Sequence, residues 1–206
     1  MHISKTSIEQ IRRRELIDAA YLTFLEHGLK GMTMARIGER AGMSHGIVNY
    51  YFTSKDALVS AVVRKATFLI SQDTARRLRQ AKSPRGRVSA IIASNFASDL
   101  FTRDTARAWV SYYAAIGQHP EFERLQNAVD RRLESNLRHA LRQLTSDRRA
   151  AEIAEGVALY IDGLWLRRGR TIDGASNSTA IAKLEAFVDD QLASGRRKGT
   201  VAGLSG

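Results

Sequence analysis

Between Thr33 and Lys55 the chain reads TMARIGERAGMSHGIVNYYFTSK, and this stretch limits the fold more than any other. It predicts two short helices joined by a tight turn. Thr33 offers a side-chain oxygen for a helix N-cap, and Met34, Ile37 and Ala41 follow at helical spacing on one apolar face. Gly42 stands where a helix ends in a left-handed residue, and Ser44 is a second N-cap. Val48 and Phe52, four apart, anchor one side of the helix that Ser44 opens. Its outer edge holds His45, Gly46, Ile47, Asn49 and Tyr50, mostly small or hydrogen-bonding residues. Such a pair is either an ordinary αα-corner or a helix-turn-helix, whose second helix enters the DNA major groove.

A resemblance separates these two. Thr33, Ile37, Ala41, Gly42, Ser44, Gly46, Tyr50, Tyr51, Phe52, Ser54, Lys55, Asp56 and Leu58 carry, without a gap, the pattern of the DNA-binding domain of TetR-family repressors. The chain departs from it at Asn49, where many members have Tyr, so the base contact there differs. The resemblance implies that His45, Gly46, Ile47, Asn49 and Tyr50 face base edges, while Thr33, Ser44, Tyr51 and Lys55 hold phosphates.

Composition agrees with a helical chain: 206 residues, 44% hydrophobic, only 2 prolines and few alternating β-branched runs. There is no cysteine, which excludes disulfides and thiolate metal sites and fits a reducing cytoplasm. No stretch approaches the apolar length of a signal peptide or a membrane span, so a soluble cytoplasmic protein without a membrane partner is expected. The net charge of +11 suggests a polyanionic partner, yet residues 1–60 contribute 8 Lys/Arg against 6 Asp/Glu and the remaining residues 24 against 15. The reading head is therefore not the most basic part.

In chain order, a polar arm precedes Arg12, Arg13 and Arg14, which open a helix with Ile17, Ala20, Tyr21 and Phe24 apolar, stopping at His27-Gly28. The arginines face either solvent or phosphates. A long helix follows Ser54 to about Arg79, and the Pro- and Gly-containing run from Gln80 to Gly86 breaks it. The expected domains are a helix-turn-helix domain over residues 1–60, an effector-binding and dimerisation domain over 61–194, and a disordered tail over 195–206. In the second, Val88, Ile91, Ile92, Asn95, Phe96 and Asp99 are expected to share one helical face. A helix near Asp104 carries Trp109, Tyr112, Tyr113 and Ile116; one long helix spans Glu121 to Leu144; another carries Ile161, Leu164 and Trp165; and a last one runs from about Thr179 to Leu192.

No phosphate-binding glycine loop, nucleophile elbow or paired metal-ligand spacing occurs, and the five histidines are scattered. Neither an enzyme nor a cofactor or metal is expected. The aromatic residues allow two readings: core filler, or a pocket for a cation, whose charge indole and phenol faces attract. Asp162, three residues before Trp165, is costly in so apolar a segment unless something satisfies it.

A second resemblance favours the pocket. Ile161 to Arg167 (IDGLWLR), Ala108-Trp109 with the aromatic pair after it, and Arg131 to Leu137 resemble the choline-sensing repressors of glycine betaine synthesis, a TetR subgroup. The chain departs from that subgroup at Tyr113, often Trp there, at Asn49-Tyr50, often Ser-His, and at the basic Arg167-Arg168-Gly169-Arg170. The resemblance implies an all-α, TetR-like homodimer on a palindromic double-stranded operator, controlling choline-to-glycine-betaine genes. Choline would be held by Phe96, Asp99, Trp109, Tyr112, Tyr113, Asp162 and Trp165. The expected dimer surface is a four-helix bundle from the last two helices, through Ile161, Leu164, Leu184, Phe187 and Val188. The alternative within the family is a regulator of an efflux or catabolic gene answering another cationic or aromatic ligand; outside it the alternatives are a ligand-binding or interaction module with a degenerate reading head, and an enzyme built in the helical pocket.

Overall fold

The computed structural model describes residues 5–97, 100–171 and 175–202. Among them the secondary structure is helical throughout: α1 Lys5–Gly31, α2 Met34–Ala41, α3 His45–Tyr51, α4 Lys55–Gln80, α5 Pro84–Ser94, α6 Arg103–Ile116, α7 Pro120–Leu141, α8 Asp147–Arg170 and α9 Asn177–Ala202. None of these helices is long and apolar enough to cross a membrane.

Local chemistry sets most of the boundaries. Ser83 and Ser146 accept backbone N–H bonds from Gly86 and Arg149, capping α5 and α8. The hydroxyl of Ser54 does the same for Ala57 at 3.1 Å, at the start of α4. Helical geometry in α1 breaks at Gly28, where the expected stop lies.

The chain divides into two compact units: Met1–Leu69 with Asp104–Gln126, and Ile70–Arg103 with Asn127–Gly206. This differs from a boundary near residue 60. The apolar face of α4 continues past that point through Val62, Val63, Ala66 and Leu69, all part of the first unit's core. That core also takes in Ala108, Tyr112 and Phe122, so α6 and the start of α7 belong with the reading head.

The second unit has its own core, in which Val88, Ile91, Ile92, Leu137, Leu141, Ile153, Val157, Ile161, Leu184 and Val188 are buried. Arg85 ties α5 to α9 through Glu185 and, at 2.8 Å, Asp189. A buried Thr74–Ser94 hydrogen bond of 2.7 Å joins α4's last turns to α5.

Three helix ends depart from expectation. α5 stops at Ser94 with Asn95 as its cap, so Phe96 lies beyond the helix, and Asp99 lies outside the described residues. α7 ends at Leu141, and Leu144 sits in the following turn. α9 continues to Ala202, beyond Leu192 and into the segment expected to be disordered. A helix already nucleated adds one hydrogen bond per residue fixed, which offsets the low propensity of glycine there.

Candidate nucleic-acid interface and effector residues

The motif from Thr33 to Lys55 folds as its capping residues dictate. The Thr33 hydroxyl accepts the Arg36 N–H at 3.3 Å, and the Ser44 hydroxyl accepts that of Ile47 at 3.4 Å. Gly42 takes a left-handed conformation, φ 63 and ψ 33, which lets its N–H close on Glu39 and turns the chain between α2 and α3. Val48, with no exposed surface, and Phe52, 3% exposed, fasten α3 to a core containing Ile37, Leu16 and Phe24.

The opposite edge of α3 is left to solvent. His45, Gly46 and Asn49 are exposed, as are Ile47 (43%) and Tyr50 (72%). Tyr50 leans edge-on against half-buried Tyr51 with 5.1 Å between ring centroids, which restricts both rings. Thr33 and Ser44 are exposed and Lys55 half-exposed at the start of α4. A groove of about 450 Å³ runs beside this edge, lined by Arg12, Ser44, Gly46, Ile47, Tyr50 and Tyr51. Every proposed base or phosphate contact thus retains accessible surface, the base contacts on a short uncharged helix with one buried edge.

Two contacts hold the start of α4. His119 Nδ1 lies 2.9 Å from a carboxylate oxygen of Asp56, and the buried Ser60 hydroxyl donates to Glu121 at 2.8 Å. His119 comes from the turn between α6 and α7, and Glu121 from the first turn of α7. Within α6, the Ser111 hydroxyl accepts the Leu29 N–H at 2.9 Å, beside the break at Gly28. None of these contacts was read from the sequence, because each joins residues distant in the chain.

The residues expected to hold an effector fall into both units. In the first, Trp109 packs edge-on against Phe24 at 5.2 Å and against Tyr112 at 5.6 Å. Tyr112 is fully buried, its hydroxyl donating to the Phe122 carbonyl at 3.4 Å, and Tyr113 is half-buried beside it. Tyr112 therefore serves the core and offers no face to a ligand. In the second unit, Phe96 and Trp165 each pack edge-on with one ring, Phe101, at 4.9 and 5.0 Å.

The carboxyl of Asp162 is pushed up to about 6, first by loss of surrounding water and then by the negative charge of Asp130. By accessible area Asp162 is exposed. Among the described residues no three His, Cys, Asp or Glu side chains gather where they could hold a metal ion.

Of the expected dimer residues, Ile161, Leu164, Leu184 and Val188 are all less than a tenth exposed, in this chain's own core. Their side chains cannot form the outer face of a bundle. Phe187 is half-buried and packs on Tyr160 at 5.7 Å. The outward apolar positions on α8 are Leu159 and Leu166, 66% and 49% exposed, with Gly163 between them. Their seven-residue spacing is a signal that sequence periodicity contains.

Residues 16–62 match the family model described as bacterial regulatory proteins, tetR family, and residues 84–193 match that of the BetI-type transcriptional repressor, C-terminal. The chain belongs to the TetR family. Members are transcriptional regulators rather than enzymes. This one is 40% identical over 188 residues to the HTH-type transcriptional regulator BetI of Brucella anthropi, covering 91% of this chain and 97% of that protein. It is 36% identical to BetI 1 of Chromohalobacter salexigens, over 92% of this chain and 94% of that one. Among solved structures, a putative transcriptional regulator from Pseudomonas aeruginosa PAO1 superposes with a TM-score of 0.77 at 26% identity, over 92% of this chain and 94% of the other. A putative regulator from Saccharomonospora viridis, solved in complex with choline, superposes with a TM-score of 0.72 at 20% identity, over 86% and 95%. At that identity the likeness is one of fold alone.

Proposed function

We propose that this TetR-family regulator binds a palindromic operator as a homodimer and that choline modulates the binding, so that it controls choline-to-glycine-betaine genes. The observation that carries the DNA part is the exposed edge of α3, with His45, Ile47, Asn49 and Tyr50 outward while Val48 pins the helix from behind. One such helix reads too few bases for useful discrimination, and two spaced about 34 Å apart multiply it. Partner contact is assigned to Leu159 and Leu166 of α8, which are exposed in the single chain.

Choline is supported by the likeness to the BetI proteins and by the choline-bound Saccharomonospora viridis structure of the same fold. A quaternary ammonium donates no hydrogen bond, so its recognition must rest on aromatic faces and a negative charge. Within the second unit, Trp165 and Phe96 are the candidate faces and Asp162 the described candidate for the charge; within the first, Trp109 and Tyr113 are the other candidate faces.

Footprinting on the DNA upstream of the gene, with and without choline, tests the first part, and calorimetry on the purified protein tests the second. Protection of an inverted repeat and heat with micromolar to millimolar choline are expected. Glycine betaine keeps the ammonium but adds a carboxylate that Asp162 repels, so it should bind more weakly. No heat with choline, or equal affinity for betaine, removes choline and leaves the DNA-binding assignment standing.

A further inference from the structure

The proposed reading helix has an electrostatic deficit. α3, HGIVNYY, carries no Lys, Arg, Asp or Glu, and of the assigned phosphate contacts only Lys55 is a cation. Cations that neutralise phosphates supply essentially all non-specific DNA affinity. They have to come from elsewhere in the same unit.

We propose that the groove between α1 and α4, bordered by Arg13, Arg14, Arg64 and Lys65, seats the sugar-phosphate backbone adjoining the stretch that α3 reads. This rests on the DNA-binding reading above and adds a second contact surface to it. The groove has a volume of about 820 Å³, and Asp18 is the one carboxylate on its wall. Lys65 already engages that carboxylate at 2.8 Å. Arg13, Arg14 and Arg64 are exposed, and no described carboxylate lies within ion-pair distance of them, unlike Arg12, which Glu15 holds at 3.0 Å. Exposed like charges held along one groove repel one another until a polyanion lies between them.

Placement joins the groove to the reading helix. The Arg13 guanidinium carbon lies 5.0 Å from the ring centroid of Phe52, the residue that caps the C-terminal end of α3. From Lys55 to Arg64 is nine residues of α4, about 14 Å of helix. Guanidinium groups suit a sugar-phosphate backbone, since their fork matches phosphate oxygens.

The test is the salt dependence of binding by Arg14→Gln/Arg64→Gln, a pair that leaves the Arg13–Phe52 contact intact. Binding to a duplex of the gene's upstream DNA and to a random duplex is measured between about 50 and 200 mM salt. The slope of log K against log salt should become shallower by about 0.9 per lost phosphate contact, nearly 2 for each bound protomer, and equally on both duplexes. Arg132→Gln/Arg148→Gln removes the same charge from exposed positions of the second unit and should leave the slope unchanged. An unchanged slope in the first pair, or an equal loss in the second, overturns the groove while the DNA-binding reading survives. A wild-type protein that binds neither duplex overturns both. Dodecanoate displaced from the wild-type groove by neither DNA nor salt, its binding lost in the first pair, would reassign the groove to an anionic amphiphile.

Discussion

Replacing Leu159 and Leu166 together by Ser should split the proposed dimer without harming the fold of the single chain. Both lie on the outer face of α8, 66% and 49% exposed. Burying a whole leucine is worth about 1.5–3 kcal/mol, so covering these exposed fractions contributes about 2–3.5 kcal/mol per protomer, and about twice that in a symmetric dimer. Losing it weakens dimerisation by about three to five orders of magnitude. The neighbouring Leu164 supplies the contrast. At 7% exposed it faces this chain's own core, and Leu164→Ser should destabilise the chain itself by about 2–5 kcal/mol. Sedimentation equilibrium across protein concentrations reads the first effect, and thermal unfolding the second. A double variant whose dimer constant stays within about tenfold of wild type, or a stable wild-type monomer at micromolar concentration, would refute the assignment of α8's outer face.

Asn49→Ala should cost about 1–3 kcal/mol on the operator and leave random DNA unaffected, whereas Lys55→Ala should weaken both and lower the salt slope by about 0.9; equal loss by Asn49→Ala on random DNA removes its base-reading role. Asp162 is raised to about 6 in the folded chain, so its ionised form costs stability above that pH, and acidification through about 6 relieves the cost. Asp162→Asn should therefore melt higher than wild type at pH 7.5, with the difference shrinking by pH 5; a constant difference would show that the carboxyl does not titrate in that window. A Cβ on Gly156 would meet Phe187 Cζ at 2.9 Å, so Gly156→Val should wedge α8 from α9 and lower stability by about 1–3 kcal/mol by calorimetry; an unchanged melt would mean that the Phe187 ring swings aside freely.

The reading head was legible because its determinants are local. Thr33, Gly42 and Ser44 each act within four residues of themselves, and each forms the cap its type implies. The end of α5 was not legible from apolar spacing, since Ile91, Ile92, Asn95 and Phe96 fit one helical face. Asn95 instead turns its amide back to the Ile91 carbonyl at 2.8 Å, and the Ser94 hydroxyl takes the same carbonyl at 2.7 Å. Such side chains compete with the helical ladder, and periodicity is blind to them. The dimer residues pose a different problem. Ile161, Leu164, Leu184 and Val188 show the period of a buried face, but the pattern does not say whether a partner or the same chain buries it. Trp109 was assigned to the effector domain because it follows residue 60 in the chain. Only the fold returns α6 to the reading head's core.

That return changes what Trp109 can report. With Phe24 of α1 against its ring, Trp109→Ala would remove core packing beneath the helix-turn-helix, so a loss of choline response in that variant would not separate binding from folding. Asp162, exposed and in the other unit, is the cleaner probe. It also places a demand on the coupling. An effector shifts DNA affinity only through its differential affinity for two states, and the shift is reciprocal: whatever factor choline takes from operator binding, operator must take from choline binding. Ser111 on Leu29, His119 on Asp56 and Glu121 on Ser60 tie the C-terminal half of α6, and the turn and first turn of α7 that follow it, to α1 and α4. A ligand that moved α6 would strain those contacts directly.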